Sequence, residues 1–226
     1  MKTAVVIGAT GLVGTELIQK LALEGSHGQI IAICRDAASK NKPSFNNPKV
    51  RILNFDFKNW TDLELQVRSF LGTSTANFFC CLGTTLSKAG SEEDFKKVDC
   101  DYVVHFAKLA HSCRAEQLLV VSALGADKNS YVFYNRTKGE MEEFVKNEFN
   151  GKLYFFRPSL LLGDRSDFRF GERVAILLAP LYSPLFVGSL KKYQPVPASI
   201  VAQKMVLVAA KKIEAPLFVE NNFILN

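Results

Sequence analysis

Short apolar runs alternate with amphipathic stretches along most of this chain. The runs Thr3–Gly8, Gln29–Arg35, Val50–Phe55, Asn77–Leu82, Gln117–Ser122 and Leu153–Arg157 are rich in Val, Ile, Leu and Phe. They are continuous rather than alternating, which predicts strands buried on both faces. Between them, stretches near 11–25, 60–71, 91–112 and 134–149 carry apolar residues at helical spacing. Strand–helix alternation of this kind predicts βαβ units and a parallel sheet. After Arg157 only about 69 residues remain, and Pro180, Pro184, Pro195 and Pro197 there mark a loop-rich cap. The expected organisation is a single domain over 1–226, with a core over 1–157 and a small substrate cap over 158–226.

Composition narrows the class. The chain has 226 residues, 48% of them hydrophobic and 22% charged, an ordinary globular mix with enough apolar surface for a sizeable core. Met1 to Ile7 is too short an apolar opening for a secretory leader, and Gly8 interrupts it. Val174 to Leu190 contains Pro180 and Pro184 and falls short of a spanning helix. These features predict a soluble, cytoplasmic protein without a transmembrane segment. Cys34, Cys80, Cys81, Cys100 and Cys113 follow no C-x-x-C spacing and predict reduced structural thiols, and His27, His105 and His111 lack metal-ligand spacing. No metal site is expected. The net charge of +6 is dispersed, with no basic stripe interleaved with aromatics, so a nucleic-acid partner is not expected.

The strongest motif is Gly8-Ala9-Thr10-Gly11-Leu12-Val13-Gly14, which follows a strand and opens a helix. Gly8 suits a tight turn, Gly11 lets backbone N–H groups approach a pyrophosphate, and Gly14 allows close helix–strand packing. Thr10, Leu12 and Val13 lie between the glycines, where the positive end of the helix favours an anion. The fold class implied is α/β: a three-layer Rossmann fold, with a doubly wound parallel sheet and the small C-terminal cap. The second strand ends Ile33-Cys34-Arg35-Asp36. An acid at that tip normally takes the ribose hydroxyls of NAD, whereas the planar fork of an arginine suits a 2′-phosphate. Arg35 therefore favours NADP(H), with Lys40 and Lys42 as further charge, and Asp36 leaves NAD(H) as the less favoured choice. Asp56, ending the third strand, has two readings: an acceptor for the adenine amino group, or a cap for the helix starting near Trp60.

Five further segments complete a pattern: Cys81-Leu82-Gly83-Thr84-Thr85; Val98-Asp99 with Asp101-Tyr102; Ser122-Ala123-Leu124-Gly125-Ala126-Asp127; Tyr134 with Lys138-Gly139-Glu140; and Arg157 through Arg165. With the glycine fingerprint they cover residues 4 to about 172, and the chain resembles a short-chain dehydrogenase/reductase of the atypical class. More closely it is similar to the Tat-interacting-protein-like oxidoreductases, a branch related to the extended sugar-nucleotide epimerases.

Tyr134 and Lys138 are four residues apart and share a helix face. A phenol ionises near pH ~10. A neighbouring ammonium favours its phenolate and suits it to acid/base work at a carbonyl. The resemblance implies that Lys138 also holds the nicotinamide ribose and that Ser122 orients the substrate carbonyl. The family pattern commonly has two serines, and the second position here is Ala123. The wider superfamily often carries an asparagine where this chain has Asp99, so a proton relay through that position is not expected. Gly83 and Thr84 are expected near the adenosine ribose, and Arg157 and Pro158 beside the nicotinamide. Arg169 matches a phosphate-associated position, with a solvent-facing arginine as the equal alternative. The apolar stretch 168–190 suits a substrate wall, a homodimer or other partner contact, or plain core packing. Two functions follow: an NADP(H)-dependent enzyme acting on a small-molecule carbonyl, with epimerase or dehydratase chemistry as variants, or a cofactor-sensing regulatory protein with vestigial catalysis.

Overall fold

The apolar runs become the strands of one sheet, the central ones covered on both faces. The computed structural model describes residues 2–35, 43–163 and 188–226. In chain order, β1 (Lys2–Ile7), α1 (Leu12–Glu24), β2 (His27–Cys34), β3 (Val50–Asn54), α2 (Trp60–Leu71) and β4 (Ala76–Cys80) form the first half. Two short helices follow, α3 (Leu86–Ala89) and α4 (Glu92–Lys96), then a π-helical turn over Lys97–Asp101 that runs into α5 (Tyr102–Ser112). β5 (Gln117–Val121), α6 (Phe133–Glu148) and β6 (Lys152–Arg157) complete the second half. The described C-terminal part adds β7 (Leu161–Leu162), β8 (Val196–Pro197), α7 (Ala198–Ala209), β9 (Phe218–Glu220) and α8 (Asn221–Leu225).

Among the described residues the main sheet has seven strands in the order β3-β2-β1-β4-β5-β6-β9, every pair parallel. The doubly wound Rossmann architecture expected from the sequence is therefore present. Successive residues of a strand point to opposite faces. Ala4 and Val6 of β1 join Phe79, Leu119 and Phe156 in a core closed by α1 and α7. Val5 and Ile7 join Ile31, Phe78, Val120 and Phe155 in a second core closed by α2, α5 and α6. All of these are fully buried. Each large apolar side chain so buried contributes roughly 2 kcal/mol.

Two features differ from the sequence expectation. The stretch 91–112 is helical from 92 to 112, but with a π-helical turn over Lys97–Asp101 that interrupts its α-helical spacing and turns Asp99 inward, to 1% exposure. The loop-rich reading of the C-terminal segment also fails for its described part. Residues 198–209 form a helix whose Val201, Ala202, Met205 and Val206 are buried against the α1 side of the sheet, and Phe218–Glu220 extend that sheet beside β6. Pro197 stands at the cap of this helix, a position where missing N–H groups are tolerated.

Candidate functional site

β2 and β4 flank β1 on opposite sides, so the chain reverses direction across the sheet between β1 and β4. In open α/β sheets the ligand crevice lies at the carboxyl ends of the strands at that switch. A cleft of about 1260 Å³ opens there. Gly8, Thr10, Gly11 and Leu12 line it, together with Arg35, Asp56, Gly83 and Thr84, all expected to bind cofactor.

The glycines have separate steric reasons. Gly8 has φ +72°, and a Cβ on it would come within 2.5 Å of the Cys81 backbone. A Cβ on Gly14 would overlap the Gly8 carbonyl oxygen, so α1 packs on the end of β1 only without a side chain there. Gly11 donates its N–H to the Gly8 carbonyl at 3.0 Å and stands at the start of α1, where no side chain caps the helix. The first-turn N–H groups and the partial positive charge of α1 thus face the cleft and suit a pyrophosphate. Val13 is buried behind this surface.

The side of the cleft near Arg35 and Asp56 is walled by Phe57, absent from the sequence pattern, and by Val98 and Tyr102, which belong to it. Phe57 adopts φ +65° and stacks on Tyr102 at 4.5 Å, and both line the cleft with Val98. Arg35 is exposed at its rim. Asp56 also lines it, accepting the Lys58 N–H at 3.0 Å. The cap reading for Asp56 does not hold, since Asn59 caps α2 by accepting from the Asp62 N–H. Asp36, Lys40, Lys42 and Arg169 lie outside the described residues, as does nearly all of 168–190.

Tyr134 and Lys138 stand on one face of α6, as their spacing implies. Tyr134 is half-buried against Phe95, with ring centroids 5.5 Å apart. Lys138 is buried, and its Nζ lies 2.7 Å from Asp99 Oδ1. The other Asp99 oxygen accepts the Thr84 N–H at 2.8 Å. Burial alone would lower the Lys138 pKa, but the charges of Asp99 and Tyr134 outweigh it and hold the ammonium above its ordinary value. Burial pushes the neighbouring Cys80 thiol up to about 12, so that thiol stays protonated and unreactive.

Of the expected site residues, Ser122, Tyr134, Lys138, Arg157 and Pro158 are not among those lining this cleft. The Ser122 hydroxyl donates to Glu142 Oε1 at 2.6 Å, and Ser122 is only 5% exposed. Arg157 donates to the same carboxylate through Nε at 2.9 Å and Nη2 at 2.5 Å, and to Glu220 through Nη1 at 3.0 Å. Its guanidinium also lies over the Phe218 ring, 4.1 Å from the centroid. Ser122 and Arg157 thus share one carboxylate, Glu142, a residue absent from the sequence pattern. Its only signal was its place, four residues beyond Lys138 on the same face. Pro158 is buried, its carbonyl accepting the Leu124 N–H at 2.9 Å.

Comparison with known proteins agrees with this architecture. The profile of a family described as NAD(P)H-binding matches residues 8–154. The rat protein HTATIP2 is 33% identical over 174 residues, covering 77% of this chain and 69% of its own length. The mitochondrial protein fmp52 of Emericella nidulans is 32% identical over 179 residues, covering 79% of this chain and 75% of its own. Among solved structures, UDP-glucose 4-epimerase of Thermotoga maritima with UDP-glucose superposes with a TM-score of 0.65 at 16% identity, covering 91% of this chain and 72% of its own. A wide-type short-chain dehydrogenase/reductase of Veillonella parvula in complex with NADP gives 0.61 at 15%, covering 96% and 90%. The latter two likenesses concern the fold.

Several fungal relatives are described as mitochondrial, which overturns the expectation of a cytoplasmic protein. That expectation rested on the lack of a leader pattern, and such a lack fixes no compartment. No helix among the described residues is long and apolar enough to cross a membrane. The matched profile and the relatives sharing a third of their residues over most of the chain make this protein a member of the NAD(P)H-binding family, an atypical short-chain dehydrogenase/reductase similar to HTATIP2.

Proposed function

We propose that this chain is an NADP(H)-dependent oxidoreductase that interconverts a small-molecule carbonyl and its alcohol. The observation that carries the reading is the face of α6 on which half-buried Tyr134 precedes a buried, charged Lys138 by one turn. When bound, the nicotinamide supplies or takes the hydride. Tyr134 supplies the matching proton to the carbonyl oxygen, or takes it in the reverse direction. Lys138 stabilises negative charge on the phenol oxygen while that proton moves. The glycine turn and the uncapped start of α1 hold the pyrophosphate, and Arg35 at the rim supports a 2′-phosphate over a bare ribose.

One observation favours a second reading, a cofactor-sensing protein with little turnover. With Ala at 123, the one serine hydroxyl at the end of β5, that of Ser122, is already engaged in donating to Glu142.

Titration with NADPH and NADH, for wild type and Arg35→Ala, tests the cofactor. We expect tighter NADPH binding in wild type and a loss of that preference in the variant. Equal affinities unaffected by the substitution sink the NADP assignment. Tyr134→Phe then abolishes turnover across a carbonyl panel while NADPH still binds. A wild type that binds NADPH but is inert on that panel favours the sensor.

A further inference from the structure

The buried carboxylate of Asp99 stands between the Gly83–Thr84 lining of the cleft and the buried face of α6 that carries Lys138. One oxygen holds the Lys138 ammonium at 2.7 Å and the other holds the Thr84 backbone N–H at 2.8 Å. Asp99 is 1% exposed and Lys138 3%, so water is a poor substitute for either partner. Gly83 and Thr84 line the dinucleotide cleft, while Lys138 sits on α6 beside Tyr134. Asp99 itself lies in the π-helical turn Lys97–Asp101. Such turns insert an extra residue into a helix and recur where a side chain must be aimed at a site.

We propose that Asp99 is a positioning residue that couples dinucleotide occupancy at the Gly83–Thr84 loop to the placement of the Lys138 ammonium beside Tyr134. A ligand that presses on the loop fixes the Thr84 N–H, hence the carboxylate, hence the ammonium. Coupling is reciprocal: a change at Lys138 is felt by a ligand that never reaches it. The inference rests on the dinucleotide reading given above and adds a residue whose effect crosses the cleft.

The probe is adenosine 2′,5′-bisphosphate, which carries the adenosine side of the cofactor and no nicotinamide, and so does not reach Tyr134 or Lys138. Wild type, Lys138→Met and the double variant Asp99→Asn/Lys138→Met are titrated with it by calorimetry. In Lys138→Met the carboxylate is buried without its counter-charge and its hold on the loop is disturbed, so we expect at least tenfold weaker binding. In the double variant no charge is buried, while the carbonyl oxygen of the introduced amide still accepts the Thr84 N–H, so affinity returns to within about threefold of wild type. Urea midpoints of each variant are read alongside, and a loss of affinity that only tracks lost stability overturns the coupling. Unchanged affinity in Lys138→Met, or no recovery in the double variant, overturns the coupling. If Lys138→Met does not fold, Lys138→Gln takes its place, since it keeps an N–H for Asp99 but no charge. It weakens the probe at least threefold, and wild-type affinity in it overturns the proposal. A wild type that binds neither this probe nor NADPH removes the dinucleotide reading and the coupling together, whereas binding with unchanged affinity in the variants removes the coupling alone.

Discussion

Lowering the pH from 7 to 4 removes about 3 kcal/mol of stability through one side chain, His27. Its ring is fully buried at the start of β2, edge-on to Phe79. Nδ1 lies 2.9 Å from Ser26 Oγ and Nε2 lies 3.2 Å from the Asn77 side-chain nitrogen. The Asn77 amide also donates to the Ala209 carbonyl at the end of α7, and Gln117 donates to that carbonyl at 3.0 Å. An amide that donates makes Nε2 the acceptor and leaves the ring hydrogen on Nδ1. Protonating Nε2 would set one N–H against another. Burial holds the pKa from 6.5 down to about 4, the Glu24 carboxylate opposing this and the Lys2 ammonium reinforcing it.

Between pH 6.5 and 4 the unfolded chain therefore binds more protons than the folded one. The resulting stability is fully present above pH 6.5 and is lost as pH falls through about 4. At roughly 1.4 kcal/mol per pH unit, this interval gives the loss of about 3 kcal/mol. Urea unfolding at pH 7, 5.5 and 4 measures it. His27→Gln is the comparison, since its amide oxygen still accepts from Asn77 and does not titrate. The variant's stability should fall less than that of wild type over this window, by about 3 kcal/mol. Glu24, held at about 2 against an ordinary 4.5, adds its own loss only below pH 4.5 and in both proteins. Equal losses in the two proteins between pH 7 and 5.5, and again between 5.5 and 4, refute the assignment to His27.

Two further outcomes follow from contacts at the cleft and behind it. Gly14→Ala sets a methyl group against the Gly8 carbonyl and forces α1 off the end of β1. NADPH binding measured by fluorescence should fall at least tenfold, and a wild-type affinity contradicts the close-packing role. Glu142→Gln leaves Arg157, 17% exposed, with Glu220 as its remaining acid partner. Breaking such a pair should cost about 3 kcal/mol in chemical denaturation, and a cost below about 1 kcal/mol contradicts the buried-pair description.

The sheet was legible because its central strands β1, β2, β4 and β5 are buried on both faces, so their runs are largely apolar, whereas edge strand β3 leaves Arg51 and Asn54 exposed. Helix α7 is apolar for the same reason, yet Pro195 and Pro197 just before it were read as loop punctuation. A proline at a helix cap and a proline in a loop look alike until the residues after it are seen to bury a face. The glycine turn was legible because its constraint is local, from Gly8 to Gly14. Direction was not legible. Ser122 and Arg157 have the chemistry of cleft residues, but both point at Glu142, 20 and 15 residues away in sequence. The same limit hid the π-helical turn within 91–112, since the ion pair of inward-turned Asp99 reaches a residue 39 positions later.

These long-range pairs bear on α6 as a whole. Tyr134, Lys138 and Glu142 follow one another at four-residue spacing, and the two charged members meet partners on different elements. Lys138 is tied to the π-helical turn after β4, and Glu142 to the ends of β5 and β6. The pairs have opposite polarity, a lysine to an acid and an acid to an arginine, so each is balanced locally. A shift of α6 by one residue along its axis would break both. Tyr134, at the start of this helix and half-buried against Phe95, is thereby held by charges one and two turns away. Acid/base chemistry needs this placement, since a proton donor acts only within hydrogen-bond reach of its acceptor.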